Sequence, residues 1–347
     1  MANATGSGYI FTTAVGCEAL RNNTSSSSTA IGAQAGFNNL AGIITAVGYG
    51  ALYSNTSASC TAVGYAAMTS NTTGGENTAV GMGALRSNTT SIRNTAIGNS
   101  ALQNSNGGYN TALGHGASGS NTTGTENIAI GVDASYFNLT GSNNVSVGRS
   151  ALLNNTASNN TAVGYQAGYS NTSGNLNTFL GVLAGYTNST GVGNTAIGLE
   201  SLKLNTTGAS NVAVGVNTMG ANTTGNSNVA VGRGALFANT TSSNNVAIGQ
   251  NTLGATTGAN NTAIGYNAAG TNTTGAGNTI IGVNTVTGNF SNSVIIGAEA
   301  TATANNQFVV GSSGVNAGAV DTAVVAPTKR WKVKINGVDY YIALEPA

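Results

Sequence analysis

The pentapeptide Asn77-Thr78-Ala79-Val80-Gly81 recurs in close copies from one end of the chain to the other. Its last residue, here called the anchor, falls at Gly16, Gly32, Gly48, Gly64, Gly81, Gly98, Gly114, Gly131, Gly148, Gly164, Gly181, Gly198, Gly215, Gly232, Gly249, Gly265, Gly282, Gly297 and Gly311. These nineteen copies are spaced by 16 or 17 residues, until the last two gaps shrink to 15 and 14. A strict period this short prescribes a stack of like units, none able to bury a core alone. It argues against the two or three ordinary domains that 347 residues would otherwise allow.

Composition sharpens this reading. Charged residues make up 5% of the chain, and there are 51 glycines. Such a chain would read as low-complexity disorder, except that hydrophobic residues reach 40% and occupy fixed columns of the repeat. A net charge of +1 leaves no electrostatic footprint for nucleic acid or an anionic membrane. Cys17 and Cys60 lie at different points of the repeat, so no disulfide framework is expected. Met1 to Gly6 lacks a basic start and an apolar stretch, so no Sec-type signal is expected. No run approaches the roughly 18 apolar residues of a membrane span, and no membrane insertion is expected. Release would then follow lysis, transport in a virus particle, or another route.

Aligned on the anchor, the columns have physical meanings. The residue before it is Val, Ile or Leu in every copy, as in Val80, Leu113 and Ile130. Two residues earlier comes Thr, Val, Ile or Phe, with Ala between them in most copies. Alternation over three or four positions predicts a short β-strand. In this reading Thr78 and Val80 fill the coil, Ala79 permits close packing, and Gly81, like Gly98, Gly114 and Gly131, turns a corner. Three and four past the anchor come Ala and then often Leu or Gly (Ala84, Leu85, Gly185), which predicts a second short strand or arm. Seven past it stands Asn in nearly every copy, including Asn71 and Asn88. Asn suits left-handed turns and local backbone bonds, and stacked copies form amide ladders. Prolines are absent before Pro327, as an unbroken backbone ladder requires. The expected fold is an all-β parallel β-solenoid of about nineteen coils. At about 4.8 Å per coil it would be a rod of roughly 85 Å. So thin a coil calls for a partner surface, and a homotrimer around a threefold axis is expected.

These columns resemble the head repeats of trimeric autotransporter adhesins, the YadA-like left-handed β-rolls. Ser293 to Gly297 and Gln307 to Gly311 come closest to that repeat, with its period of 14. Elsewhere the period is two or three residues longer, the addition falling in segments such as Asn71-Thr72-Thr73-Gly74. The resemblance covers about residues 10–311 and also looks like the arrays of phage tail fibres. It implies a trimeric shaft or head. The chain shows no heptad stalk, membrane-anchor barrel or secretion signal, which shifts the expectation towards a phage or virus fibre in host attachment.

Beyond Gly311 the composition changes. Residues 1–11 are expected to cap the first coil, through Tyr9, Ile10 and Phe11; 12–318 form the rod; 319–347 form a C-terminal unit. Asn336-Gly337, between alternating runs, signals a hairpin, with Ile335 opposite Val338, Lys334 opposite Asp339, Val333 opposite Tyr340 and Trp331 opposite Ile342. It serves as a cap, or as a receptor-contacting tip using Trp331, Tyr340 and Tyr341.

No catalytic residues, cofactor or metal site are expected, and the protein is not expected to be an enzyme. The carboxylates Glu18, Asp133, Glu200 and Glu299 share a column but lie coils apart, and only Glu126 and Asp133 are near enough in sequence to be weighed as a glycosidase pair. His115 is the sole histidine. One His and two separated Cys cannot build a zinc site. Aromatics are columnar: Tyr49, Tyr65, Tyr165 and Tyr266 directly follow an anchor, and Phe37, Tyr53, Tyr136, Tyr169, Tyr186 and Phe237 lie five past one. They either pack at corners and between chains or form a sugar-stacking stripe. Expected partners are further copies of the chain, as a trimer or an end-to-end filament, and a cell-surface glycan or protein receptor. Ice binding ranks below these, because the strand Thr column is interrupted by Ile128, Val145, Val212, Val229 and Val246.

Overall fold

The computed structural model describes residues 11–40, 42–56 and 59–311, together with the backbone of 330–335 and 338–343. Nineteen strands, β1 (Thr13–Val15) to β19 (Phe308–Val310), each end at an anchor glycine. Every strand pairs in parallel with the next in sequence, and equivalent residues face one another: Thr13 with Thr29, Thr78 with Thr95, Val294 with Phe308. The chain is therefore a parallel β-solenoid, one coil per repeat. The described residues contain no helix.

The strand faces are the reverse of the expectation. Ala79 and its equivalents from Ala30 to Ile295 are buried, whereas Thr78 and Val80 point outward; only at the two ends of the row, at Ala14 and Val309, is the position not buried. A coil of 16 or 17 residues has room for a methyl group at the strand, and the two-residue side-chain period then sends both flanking residues to the other face. The interior is filled from the far wall instead, by Ala84 and Leu85 and their counterparts.

That far wall is not a second strand. It is a run of turns in which every second residue has a left-handed φ: Gly81 at 133°, Gly83 at 66° and Leu85 at 50°. The alternation points successive peptide groups along the rod. Gly83 N–H donates back to Tyr65 O at 2.9 Å, and Leu85 N–H donates forward to Ala101 O at 3.0 Å. A left-handed leucine costs roughly 1–2 kcal/mol. Burying its side chain contributes about 1.5–3 kcal/mol, so leucine is sustained there by packing.

Asn71 and Asn88 are not left-handed either; the positive φ falls five residues before the anchor, at Glu76 and Arg93. The asparagines point inward and form amide ladders. Asn88 Nδ2 donates to Asn71 Oδ1 at 2.7 Å, and Asn71 Nδ2 to Asn55 Oδ1 at 2.8 Å. The second amide hydrogen of Asn71 reaches Gly74 O at 2.8 Å. A second ladder runs beside the strands. There Asn94 N–H donates to Asn77 Oδ1 at 2.8 Å, while Asn77 Nδ2 donates to Ser91 O at 2.8 Å. These amides are buried, so each needs its partners to offset desolvation. The interior is thus half hydrocarbon and half hydrogen-bonded amide.

Of the N-terminal segment, Phe11 is described and is 73% exposed, while Tyr9 and Ile10 lie outside the described residues. Strands β20 (Arg330–Ile335) and β21 (Val338–Ala343) pair antiparallel, with Ile335 opposite Val338 and Trp331 opposite Ile342. The Asn336-Gly337 turn is outside the described residues.

Candidate interaction surfaces

Because Ala faces inward, the residue before each anchor faces out. All nineteen are Val, Ile or Leu, from Val15 to Val310, and none is buried. Scattered exposed aliphatics mean little. An unbroken row at the coil spacing, running roughly 85 Å, differs from the modest patches of ordinary monomers. The strand Thr/Val column flanks it on one side. On the other, across the anchor, stand Tyr49, Tyr65, Met82, Val132, Tyr165, Val182, Leu199, Val216, Tyr266 and Val283, all exposed. Leu113, next to the anchor Gly114, is 46% exposed.

The anchor glycine allows these columns to meet at a corner. A Cβ built on Gly148 would sit 2.5 Å from Gly164 O, in a backbone at φ 130°. Gly81, Gly98, Gly114 and Gly131 have φ values of 133°, 136°, 140° and 129°, and their Cβ positions are likewise occupied by the next anchor. Both the conformation and the coil-to-coil contact demand glycine.

Tyr49 and Tyr65 stack with centroids 5.5 Å apart, on consecutive coils. Tyr165 and Tyr266 stand separately along the same column, 45% and 51% exposed. In the other aromatic column Phe37 stacks on Tyr53 at 4.9 Å and Tyr169 on Tyr186 at 5.2 Å. Trp331, Tyr340 and Tyr341 lie on the paired strands β20 and β21; their side chains are outside the described residues.

Charged groups are few and peripheral. Glu18 pairs with Arg21, Glu76 with Arg93 at 2.9 Å, and Glu200 with Lys203 at 2.7 Å. The hydrogen bond from Gln34, helped by Arg21, holds the Glu18 carboxyl below its usual range. Arg93 does the same for Glu76, and its own pKa is raised in return. Asp133 Oδ1 lies 3.8 Å from His115 Nδ1. No described hydrogen bond or ion pair joins Asp133 to Glu126. Cys60 is buried, and its Sγ donates to Gly74 O at 3.2 Å. Burial pushes its thiol pKa up. Cys17 is exposed. Among the described residues there is no group of three metal-ligating side chains, and no helix long and apolar enough to cross a membrane.

One cleft was not anticipated from sequence. It opens beside Phe237, with a volume of about 290 Å³, and a hollow of about 190 Å³ lies on the ring's other side. Its signal was available in the mixed column five past the anchor, where Phe237 stands between Gly220 and Gly254 and a further glycine follows at 270.

Comparison with known protein families, with curated proteins and with solved structures finds no match.

Proposed function

We propose that the protein is a structural fibre: a rigid homotrimeric shaft or head, of the kind carried by phage or virus tail fibres, that takes part in attachment to a host surface. The observation that carries this reading is the outward row of nineteen branched aliphatics. Only a surface with the same repeat along its length can cover such a row, and a second copy of the chain, in parallel register, has that repeat by construction. The apolar columns straddle the anchor corner instead of lying on one flat face. A corner offers one surface to each of two neighbours, which a threefold arrangement uses and a twofold does not. The resemblance to YadA-like adhesin heads points the same way. The setting would be the virion or the extracellular space, with catalysis playing no part.

Electron microscopy of the native assembly tests this. Rods of uniform length attached by one end to a particle are the expected result. Open-ended filaments would favour the alternative, a subunit that stacks end to end.

A further inference from the structure

Rings in the column five past the anchor lie across the rod axis. The stacked pairs Phe37–Tyr53 and Tyr169–Tyr186 have interplanar angles of 11° and 20° and centroid separations of 4.9 and 5.2 Å. That separation is the coil spacing, so in these places each ring is covered by the ring of the next coil. Phe237 occupies the same column without such cover. Its neighbours in the column are Gly220 and Gly254, and the ring is 48% exposed. A Cβ on Gly220 would sit 3.1 Å from Phe237 Cε2, so the ring leans over that glycine. On the Gly254 side lies the cleft of about 290 Å³. The missing ring has left a slot one coil high beside an aromatic face.

The rest of the lining is polar in a particular way. Asn217, Asn251 and Asn267 project amides at the cleft, and Arg233 reaches it from the column after the anchor. Neither Asn217 nor Asn251 has a side-chain hydrogen bond among the described residues. Asn267 Nδ2 is engaged with Asn284 Oδ1 at 3.1 Å, which leaves its own Oδ1 as an acceptor beside Gly270. Arg233 makes no ion pair among the described residues. In the adjoining hollow, by contrast, Lys203 is already committed to Glu200.

We propose that this cleft binds a short acidic saccharide. A sugar ring fills the slot and sets its C–H face on Phe237, in place of the absent aromatic. Its hydroxyls, each both donor and acceptor, exchange hydrogen bonds with the amides, which are also both. A uronate carboxylate pairs with the Arg233 fork. A wholly apolar ligand would strand the amides, and a phosphorylated one would meet a single uncommitted cation. The volume lies near the lower end of ordinary ligand clefts, roughly 300 Å³, and suits a sugar unit with part of its neighbour. The site needs no residue of a second chain, because Asn217, Arg233, Asn251 and Asn267 come from successive coils of one chain, but it does need this face to stay uncovered in the assembly.

The test is calorimetric titration of the full chain with a glucuronate-containing tetrasaccharide, and separately with its neutral glucose counterpart. The acidic saccharide should bind, and Phe237→Ala should weaken it roughly tenfold or more. Arg233→Gln should erase the preference for the acidic over the neutral compound. Gly254→Phe, whose Cβ would sit 3.1 Å from Asn251 O and so shifts that carbonyl slightly, completes the aromatic stack and should abolish binding while the β-sheet circular dichroism is kept. Tyr169→Ala, in the same column four coils away, should change nothing. Absence of binding by both saccharides, or binding unaffected by Phe237→Ala and Gly254→Phe, would overturn the proposal. So would a drop in assembly mass caused by Gly254→Phe, since the slot would then be a contact between chains.

Discussion

At the scale of single residues, the anchor glycines and the buried asparagines do most to hold the coils in register. Gly148→Ala places a methyl against Gly164 O and forces an L-residue to φ 130°. The conformation alone costs about 1–3 kcal/mol, so the variant should unfold at clearly lower denaturant, whereas Gly83→Ala, left-handed at φ 66° but with its nearest neighbour an ordinary contact at 3.9 Å, should be milder. The asparagine ladder also exposes a flaw. Asn239 Oδ1 is buried without a hydrogen-bond partner among the described residues, because the next coil carries Thr256 in place of Asn. Asn55 shows that an asparagine in a 16-residue coil makes the missing bond: its Nδ2 donates to Asn39 Oδ1 of the preceding coil at 3.0 Å. Thr256→Asn should therefore stabilise the rod by about 1 kcal/mol, visible as a higher melting temperature. Acid should act in the opposite sense. Glu18 and Glu76 are held below their usual value near 4.5, so the stability they add is present above that pH and is lost as pH falls through their folded values. Glu76 is exposed and Glu18 partly so, and the loss should be slight and weaker still in salt.

At the scale of the coil, the interior behaves as a fixed volume shared between the strand and the far wall. Where Phe179 replaces the strand alanine, the flanking leucine positions hold Gly168 and Gly185. A Cβ on Gly168 would come within 2.6 Å of the Phe179 ring, and one on Gly185 would overlap it. A related exchange involves Ile44, which stands four before its anchor where other coils carry Asn77 or Asn94, and Gly36, with 2.8 Å between the Ile44 Cδ1 and a Cβ on the glycine. Ser146 and Ser135 show the polar form, joined by a 2.9 Å hydroxyl bond. Phe179→Ala should cost about 3–5 kcal/mol through the cavity it leaves. Gly185→Leu alone should be damaging, and Phe179→Ala with Gly168→Leu and Gly185→Leu should recover most of the loss in a denaturation series. This exchange also explains which parts of the coil could be read in advance. The strand, its parallel register and the amide ladders followed from period and residue type. The direction of the strand faces did not, because Thr-Ala-Val alternates equally well either way round. Residue types alone leave the far wall open between a strand and an arm, because Leu and Gly in one column look contradictory until a left-handed φ and a shared volume govern it together.

At the scale of the whole molecule, one inversion has the largest consequence. With Ala inside, the rod is internally satisfied by methyls, leucines and amides, and its most regular apolar feature is on the outside. The extent of that row was legible in the sequence, since the column is invariant in type, but its placement required the backbone parity. The Phe237 cleft was hidden for a different reason: it is made by absent side chains, which a search for convergent functional groups passes over. A row that pairs with other copies should tolerate no charge. The replacements Ile97→Asp, Leu113→Asp and Ile130→Asp face outward and leave the coil interior unchanged. They should therefore disrupt assembly while preserving the β-sheet circular dichroism of the rod. The most direct measurement is sedimentation equilibrium of the full chain and of this triple variant. Assembly through the row predicts a discrete species near three times the chain mass of 34.0 kDa, reduced to single chains in the variant. A native protein that sediments as a single chain, or a variant that keeps the threefold mass, would contradict it.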